Sequence, residues 1–405
     1  MQEAVDYEEN VFSELGVPTV INAVGEQTRV SGTRMRPEAA EAMARASRHF
    51  VSMEELQSKA SEKIAEITGA EAGYVTSGAA AGLTLSAAAT MAGRDYRIMN
   101  KLPNTDGFPS EILIHRSHRT RYEVGLRASG ATLRGFGLND LSSSFLEDFK
   151  TWEFENEITE ETVAAVYTAK PYNQLPIEDF IETAHNHDVP VIVDAAAELP
   201  PKENFREFID VGADIVVISG GKAIRGPQTT GIVAGKKSLI ESIALQHVPC
   251  GTHEDLWEFP RGISTGVELP GVPRPGIGRP MKVGKEEIIG LLTALDLFVE
   301  EEHDATIDQW NNLARMISKK LSHIDQFEID LVESRSVNVV RIDTPNVSSE
   351  TLKDFILTLR SENPRIFVDG RYYDKGYFVI NPRCLSSDDA DYLIQRIVKT
   401  SEQLL

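Results

Sequence analysis

The chain has 405 residues, 41% hydrophobic and 25% charged, and a formal net charge of −21. That length can bury two domain cores. The acidity argues against nucleic acid or anionic membranes as partners, because both require phosphates to be neutralised by Lys and Arg. No apolar run reaches membrane-span length, the first nine residues are acidic without a signal-peptide core, and the two cysteines, Cys250 and Cys384, form neither a C-x-x-C pair nor a zinc spacing; a cytoplasmic protein with free thiols is expected.

Residues 1–35 read as an arm with a short strand at 20–25. Pro37 opens a helix to about residue 47, with Ala40, Met43 and Ala44 on one face. A second helix spans 52–68 and stops at Gly69, and a third, rich in small residues, spans 79–92. From residue 111 short apolar strands (112–114, 131–133, 163–167, 190–193, 214–218) alternate with helices (121–129, 141–150, 176–187, 204–212). That rhythm predicts an α/β fold with a large, mostly parallel sheet buried on both faces.

The rhythm breaks at 249–281, which is rich in Gly and Pro; a loop of that length in a compact domain is usually functional or mobile. A long helix is predicted from 285 to 298, continuing through 321. Strands at 327–333 and 337–343, a helix at 349–362, strands at 366–368 and 377–380, and a helix at 388–404 then suggest a small α+β domain. The predicted division is an arm and helix at 1–45, a large α/β domain at 46–290, and a small C-terminal domain at 291–405.

Three stretches carry chemistry, in a telling order. Tyr74-Val75-Thr76-Ser77-Gly78-Ala79 leads an apolar run into a helix start, where a hydroxyl, a flexible glycine and open N–H groups can hold a phosphate. It lacks the Gly-Lys-Ser/Thr of a nucleotide-binding P-loop. Val191-Ile192-Val193-Asp194 places a carboxylate at the C-terminal end of a buried strand, where open α/β sheets collect ligands, and Ala195, Ala196 and Ala197 leave room for a flat ring. Ser219-Gly220-Gly221-Lys222 sets a lysine among small residues after another strand. A phosphate loop, then Asp, then Lys is what pyridoxal 5'-phosphate requires: the lysine forms a Schiff base and the aspartate faces the ring nitrogen. His118, just after a strand, could stack on such a ring. Arg383, after a small-domain strand, could bind a substrate carboxylate bidentately, with Arg279 and Arg119 as the next candidates.

These residues resemble the fold-type I pyridoxal phosphate enzymes and, more narrowly, the selenocysteine synthase-like family, in its D-glucosaminate-6-phosphate ammonia-lyase branch. The resemblance is carried by Val20-Ile21-Asn22-Ala23-Val24-Gly25, Met53-Glu54-Glu55-Leu56-Gln57, Ile67-Thr68-Gly69-Ala70-Glu71-Ala72, residues 76–82, Asp194-Ala195-Ala196-Ala197-Glu198, Ser219-Gly220-Gly221-Lys222 with Gly226-Pro227-Gln228, and Gly278-Arg279-Pro280-Met281-Lys282-Val283-Gly284. It implies an aspartate aminotransferase-like fold and a homodimer or larger homo-oligomer with shared active sites. It also implies that Lys222 carries the cofactor and Asp194 pairs with its ring nitrogen. Ser77, Gly78 and Ala79 would hold the phosphate, with Ala196, Ser219 and His118 around the ring.

Glu26 is a departure, an acid where that branch is expected to have a small or neutral residue, and the 249–275 loop looks longer. The resulting expectation is a lyase that eliminates a β-substituent from a small amino acid or phosphorylated amino-sugar acid, giving a 2-keto acid and ammonia. Aldol cleavage, racemisation and transamination share the first steps. A selenium transferase acting on seryl-tRNA fits poorly, with little room for a tRNA-binding domain and the wrong charge, and a non-catalytic cofactor-binding protein is the remaining alternative.

Overall fold

Apolar strands that alternate with helices form one seven-stranded sheet, and a second, smaller set of strands forms around the C-terminal third of the chain. The computed structural model describes residues 10–137, 150–170, 175–247 and 251–405. Its strands are β1 (Val20–Ala23), β2 (Ala72–Thr76), β3 (Glu111–His115), β4 (Thr132–Phe136), β5 (Thr162–Thr168) and β6 (Val191–Asp194). They continue with β7 (Ile215–Ser219), β8 (Gly231–Gly235), β9 (Glu328–Ser334), β10 (Val337–Asp343), β11 (Arg365–Val368) and β12 (Tyr377–Ile380). The chain divides into two compact units, Met35–Glu301 and Met1–Arg34 with Glu302–Leu405.

The sheet of the large unit runs β2-β8-β7-β6-β5-β3-β4. Every pairing is parallel except those of β8, which is antiparallel to both β2 and β7. The strands are apolar throughout because both faces are covered. The two-residue period sends Val75, Val191, Val193, Val216 and Ile218 into one core and Tyr74, Ile192, Ile215 and Val217 into the other.

Helices α1 (Pro37–Ala46), α2 (Met53–Thr68) and α3 (Ala79–Ala92) match the predicted positions. Pro37 sits at the start of α1, Ser52 caps α2 by accepting the Glu55 N–H, and Gly69 ends α2 at φ +75°. Helix α3 is apolar on all sides and mostly buried, and its small residues bring it close to the sheet; a Cβ on Gly82 would lie 2.9 Å from Val217 and 3.0 Å from Val233. The unit continues with α4 (Tyr96–Lys101), α5 (Val124–Ala128), α6 (Thr151–Glu155), α7 (Ile177–His185), α8 (Asn204–Asp210), α9 (Lys237–His247) and α10 (Lys285–Glu300). The helix predicted at 141–150 falls almost entirely outside the described residues.

Three differences from the sequence reading have physical causes. β8 was not predicted, because Gly-Ile-Val-Ala-Gly carries glycines at both ends. Each glycine is required by a close approach: a Cβ on Gly231 would lie 2.5 Å from the Gly78 carbonyl carbon, and one on Gly235 would lie 2.1 Å from the Asp214 carbonyl oxygen. The predicted single helix from 285 to 321 is two, α10 and α11 (His303–Leu321). Glu301 leaves the helix in an extended conformation (φ −66°, ψ 145°), and its carboxylate takes the Arg36 guanidinium through two 2.7 Å hydrogen bonds. The unit boundary therefore falls after Glu301 rather than at 290. At the other end, α1 packs on α10 in the large unit, while residues before 35 belong with the C-terminal segment.

In the small unit β1 pairs in parallel with β11, from Val20 opposite Arg365 to Ala23 opposite Val368. Strands β9, β10 and β12 form an antiparallel sheet. Helices α11, α12 (Ser349–Leu359) and α13 (Ser387–Leu404) supply the rest of a core that includes Ile21, Phe355, Ile366, Phe378 and Leu393. Ser386 starts α13 with a reciprocal capping box to Asp389. Among the described residues no helix is long and apolar enough to cross a membrane.

Candidate active site

Sheet register brings the predicted site residues of the large unit to one edge. Gly231, the first residue of β8, pairs with Thr76 of β2 on one side and Ser219 of β7 on the other. Asp194 of β6 lies opposite Val217 of β7 and opposite Thr168 of β5. Ser77, Asp194, Lys222 and His118 follow the C-terminal ends of β2, β6, β7 and β3, so loops up to 150 residues apart in sequence meet at one sheet edge.

Gly78 stands immediately before α3 with φ +102°, and no atom lies within 4 Å of where its Cβ would be. Helix α3 has no acidic residue in its first turn, which leaves its N-terminal N–H groups and dipole unopposed toward an anion. The Ser77 hydroxyl donates to the Met281 carbonyl at 2.8 Å, and the Thr76 hydroxyl donates to the Gly78 carbonyl at 3.0 Å.

Asp194 is 9% exposed and accepts the Ala196 N–H at 3.2 Å. Burial pushes its carboxyl above the usual range, and the Ala196 N–H and the nearby charges of Lys222 and Lys170 oppose that shift. Such a carboxylate gains from a cationic partner, and a protonated ring nitrogen is one.

Lys222 lies in a tight loop closed by hydrogen bonds from Gly226 N–H to Gly220 O (2.9 Å) and from Arg225 N–H to Lys222 O (2.8 Å). A Cβ on Gly221 would lie 2.6 Å from Gln228 Cα, which explains the glycine. The buried Arg36 braces this loop: its N–H donates to Arg225 O at 3.0 Å and its Nε donates to Ile224 O at 2.9 Å. Sequence reasoning missed Arg36, since its partners lie about 190 residues away and no local pattern marks it.

His118 is fully buried, and its Nδ1 accepts the Thr168 N–H at 3.2 Å, which leaves the proton of the neutral ring on Nε2. Tyr167 meets the ring edge-on at 4.6 Å. For His118 to stack on a cofactor, a neighbour covering its ring would have to move.

The predicted substrate arginines have different surroundings. Arg119 forms a bidentate pair with Glu123 at 2.5 and 2.8 Å. In the small unit, Arg383 has a side chain only 5% exposed, donates to Arg335 O at 2.5 Å and lies 4.0 Å from Glu26. The unexpected acid at position 26 thus faces a buried guanidinium. Arg279 is exposed and, with Lys282, Glu54 and Tyr74, lines a cavity of about 270 Å³ in the large unit. In its wall the Tyr74 hydroxyl and His247 Nδ1 are 2.9 Å apart, and His247 Nε2 is 3.1 Å from Met281 O, the carbonyl that also holds Ser77. Burial lowers the His247 pKa and raises that of Tyr74, so the pair is neutral.

The Cys384 Sγ lies 3.8 Å from the Gly32 carbonyl oxygen, and Cys250 lies outside the described residues. Among the described residues no cluster of His, Cys, Asp and Glu could hold a metal ion.

The residues fit a phosphorylated, planar cofactor with a basic ring nitrogen, and comparison with known proteins agrees. The aminotransferase class-V family profile matches residues 147–360. A D-glucosaminate-6-phosphate ammonia lyase of Salmonella typhimurium is 29% identical over 97% of this chain and 98% of its own. A 5'-C-glycyluridine monooxygenase-decarboxylase of a Streptomyces species is 27% identical over 95% of this chain and 90% of its own. An L-seryl-tRNA(Sec) selenium transferase of Nitratidesulfovibrio vulgaris is 25% identical over 60% of this chain, but only 57% of that protein is covered. A solved structure of D-glucosaminate-6-phosphate ammonia-lyase superposes with a TM-score of 0.78 at 28% identity, covering 98% of this chain and 99% of that one.

Proposed function

The chain belongs to the aminotransferase class-V family, and from that premise we propose that it is a pyridoxal phosphate-dependent ammonia lyase acting on a small amino acid or a phosphorylated amino-sugar acid. The observation that carries the reading is the placement of the α3 N-terminus, Asp194 and the Lys222 loop along one sheet edge, with the Lys222 charge felt at the Asp194 carboxylate. A relative similar over 97% of this chain and 98% of its own bears an ammonia-lyase activity in its name.

Bound there, pyridoxal phosphate supplies an electron sink that weakens bonds at the substrate α-carbon. Ser77 and the N–H groups after Gly78 hold the phosphate. Asp194 keeps a proton on the ring nitrogen, and the small side chains of Ala196 and Ser219 leave room for the ring. Lys222 Nζ would hold the cofactor and, as a free amine, could take the proton from the substrate α-carbon. Departure of a β-hydroxyl as water, and use of one water to release ammonia, gives a 2-keto acid.

For the substrate's anionic groups we place Arg279 ahead of Arg383 and Arg119, since each of the latter has an internal carboxylate beside it. The proposal includes a homo-oligomer and a cytoplasmic setting.

The test is incubation of the yellow holoenzyme with amino acids and phosphorylated amino-sugar acids, with ammonia assay and product mass spectrometry. Equimolar ammonia and 2-keto acid are expected, and borohydride is expected to fix the cofactor on Lys222. Label on another lysine would refute the site. An aldehyde, an enantiomer or an amino-group transfer product in place of ammonia would refute the reaction.

A further inference from the structure

A second cavity, of about 300 Å³, lies wholly within the small unit, and the charged residues of its lining are mostly cations. Arg29, Lys353, Arg360 and Arg371 face it against one carboxylate, Asp369, which Arg371 takes up at 2.6 Å. Lys353 has Glu350 beside it at 3.1 Å. Arg29 and Arg360 have no carboxylate within ion-pair distance among the described residues, although the chain carries 62 acidic residues against 41 Lys and Arg.

Both guanidiniums lie over the ring of Phe367, at 5.8 Å for Arg29 and 4.7 Å for Arg360. Arg360 Nε is buried without a hydrogen-bond partner. Burial and the Arg29 charge push the Arg360 guanidinium pKa down. Two like charges gathered on one aromatic ring, one with an unsatisfied buried donor, are costly unless an anion joins them.

We propose that this cavity binds a phosphomonoester dianion between Arg29 and Arg360. Two forked guanidiniums match the several oxygens and double charge of that group better than they match a single carboxylate. The phosphate can belong to the substrate itself or to a separate phosphorylated metabolite. Because every residue involved belongs to the small unit, the site does not depend on Lys222 carrying the cofactor.

The experiment is calorimetric titration of the full chain, saturated with cofactor so that the α3 phosphate site is filled, with inorganic phosphate and with acetate as a control. Phosphate is expected to bind more tightly than acetate. Arg29→Gln and Arg360→Gln should each weaken phosphate binding about tenfold or more, while Lys320→Gln, at a surface ion pair with Asp391, leaves it unchanged. Arg29 is exposed, so its variant retains the fold and keeps the test decisive if Arg360→Gln is unstable. Unchanged binding in the Arg29 variant, no preference over acetate, or loss of binding only in Arg279→Gln would each overturn the proposal. The source is read from kinetics with a phosphorylated amino-sugar acid: phosphate raises KM if the site holds the substrate's own phosphate, and leaves KM unchanged if it serves another phosphoester.

Discussion

Two buried aspartates show how environment assigns roles. Asp214, at the start of β7, is 1% exposed and surrounded by partners: it accepts the Val191 N–H at 2.6 Å and lies 2.9 Å from His185 Nε2 and 2.5 Å from Lys236 Nζ. Asp194, at the opposite end of the neighbouring strand, has one hydrogen bond to its carboxylate among the described residues, from the Ala196 N–H, and a pKa raised by burial. A raised carboxyl pKa means that the folded protein holds the proton more tightly than the unfolded chain. Stability is then greatest below the unfolded carboxyl pKa and falls as pH rises through the folded value. Asp194→Asn removes that cost and keeps the Ala196 contact. Its cofactor-free form should melt at a higher temperature than the wild type near neutral pH, with the gap closing in acid, and calorimetry at several pH values checks this. Its turnover should fall by a hundredfold or more on the order of general acid–base effects, read from steady-state rates with cofactor saturating. Among the arginines, Arg279→Lys should raise substrate KM about tenfold without weakening the cofactor. Arg383→Lys, which loses the fork that reaches Arg335 O, should instead lower the stability of the chain.

At the scale of elements, the site depends on short connections held from behind. β8 joins the phosphate loop to the lysine loop through Gly231, and Gly231→Ala would drive a methyl into the Gly78 backbone. Cofactor affinity in that variant should drop by at least about tenfold, as for loss of a charged hydrogen bond, measured by fluorescence titration of the apoprotein. Arg36 links α1, the Lys222 loop and the end of α10. Its side chain is 8% exposed and that of Glu301 34%, so Arg36→Ala leaves a half-covered carboxylate and the Ile224 carbonyl without its Nε donor, while the backbone N–H to Arg225 O is kept. A loss of about 2–4 kcal/mol is expected, read from denaturant unfolding, and Arg36→Lys should recover only part of it.

For the whole molecule, Met35–Glu301 is a unit whose two ends are clasped by the Arg36–Glu301 pair, and the small unit is built from both ends of the chain. Its parallel β1–β11 pairing joins residues about 345 apart in sequence. With a net charge of −21, the folded chain repels itself. Raising salt from millimolar levels to physiological strength should therefore raise the melting temperature, by about 2–4 °C for each 1 kcal/mol of repulsion screened in a domain of about 200 residues. A midpoint that is flat or falls with salt would show that the local ion pairs outweigh the net charge.

The sequence by itself determined the elements whose signals are local. Pro37, Ser52 and Gly69 mark helix ends, and the apolar runs before Ser77, Asp194 and Lys222 place those residues at strand ends. Hence the phosphate loop, the buried acid and the lysine could be read in order, and with them the α/β class. Tertiary structure alone decided what depends on distant partners. Gly-Ile-Val-Ala-Gly becomes β8 because Gly78 and Asp214 need its glycines. The helix breaks at Glu301 because a buried arginine from residue 36 claims its carboxylate. Arg383 is held beside Glu26 rather than presented alone, and Arg29 and Arg360 meet over Phe367. Propensity and periodicity extend over a few residues; these choices come from charge and close packing between residues up to hundreds of positions apart.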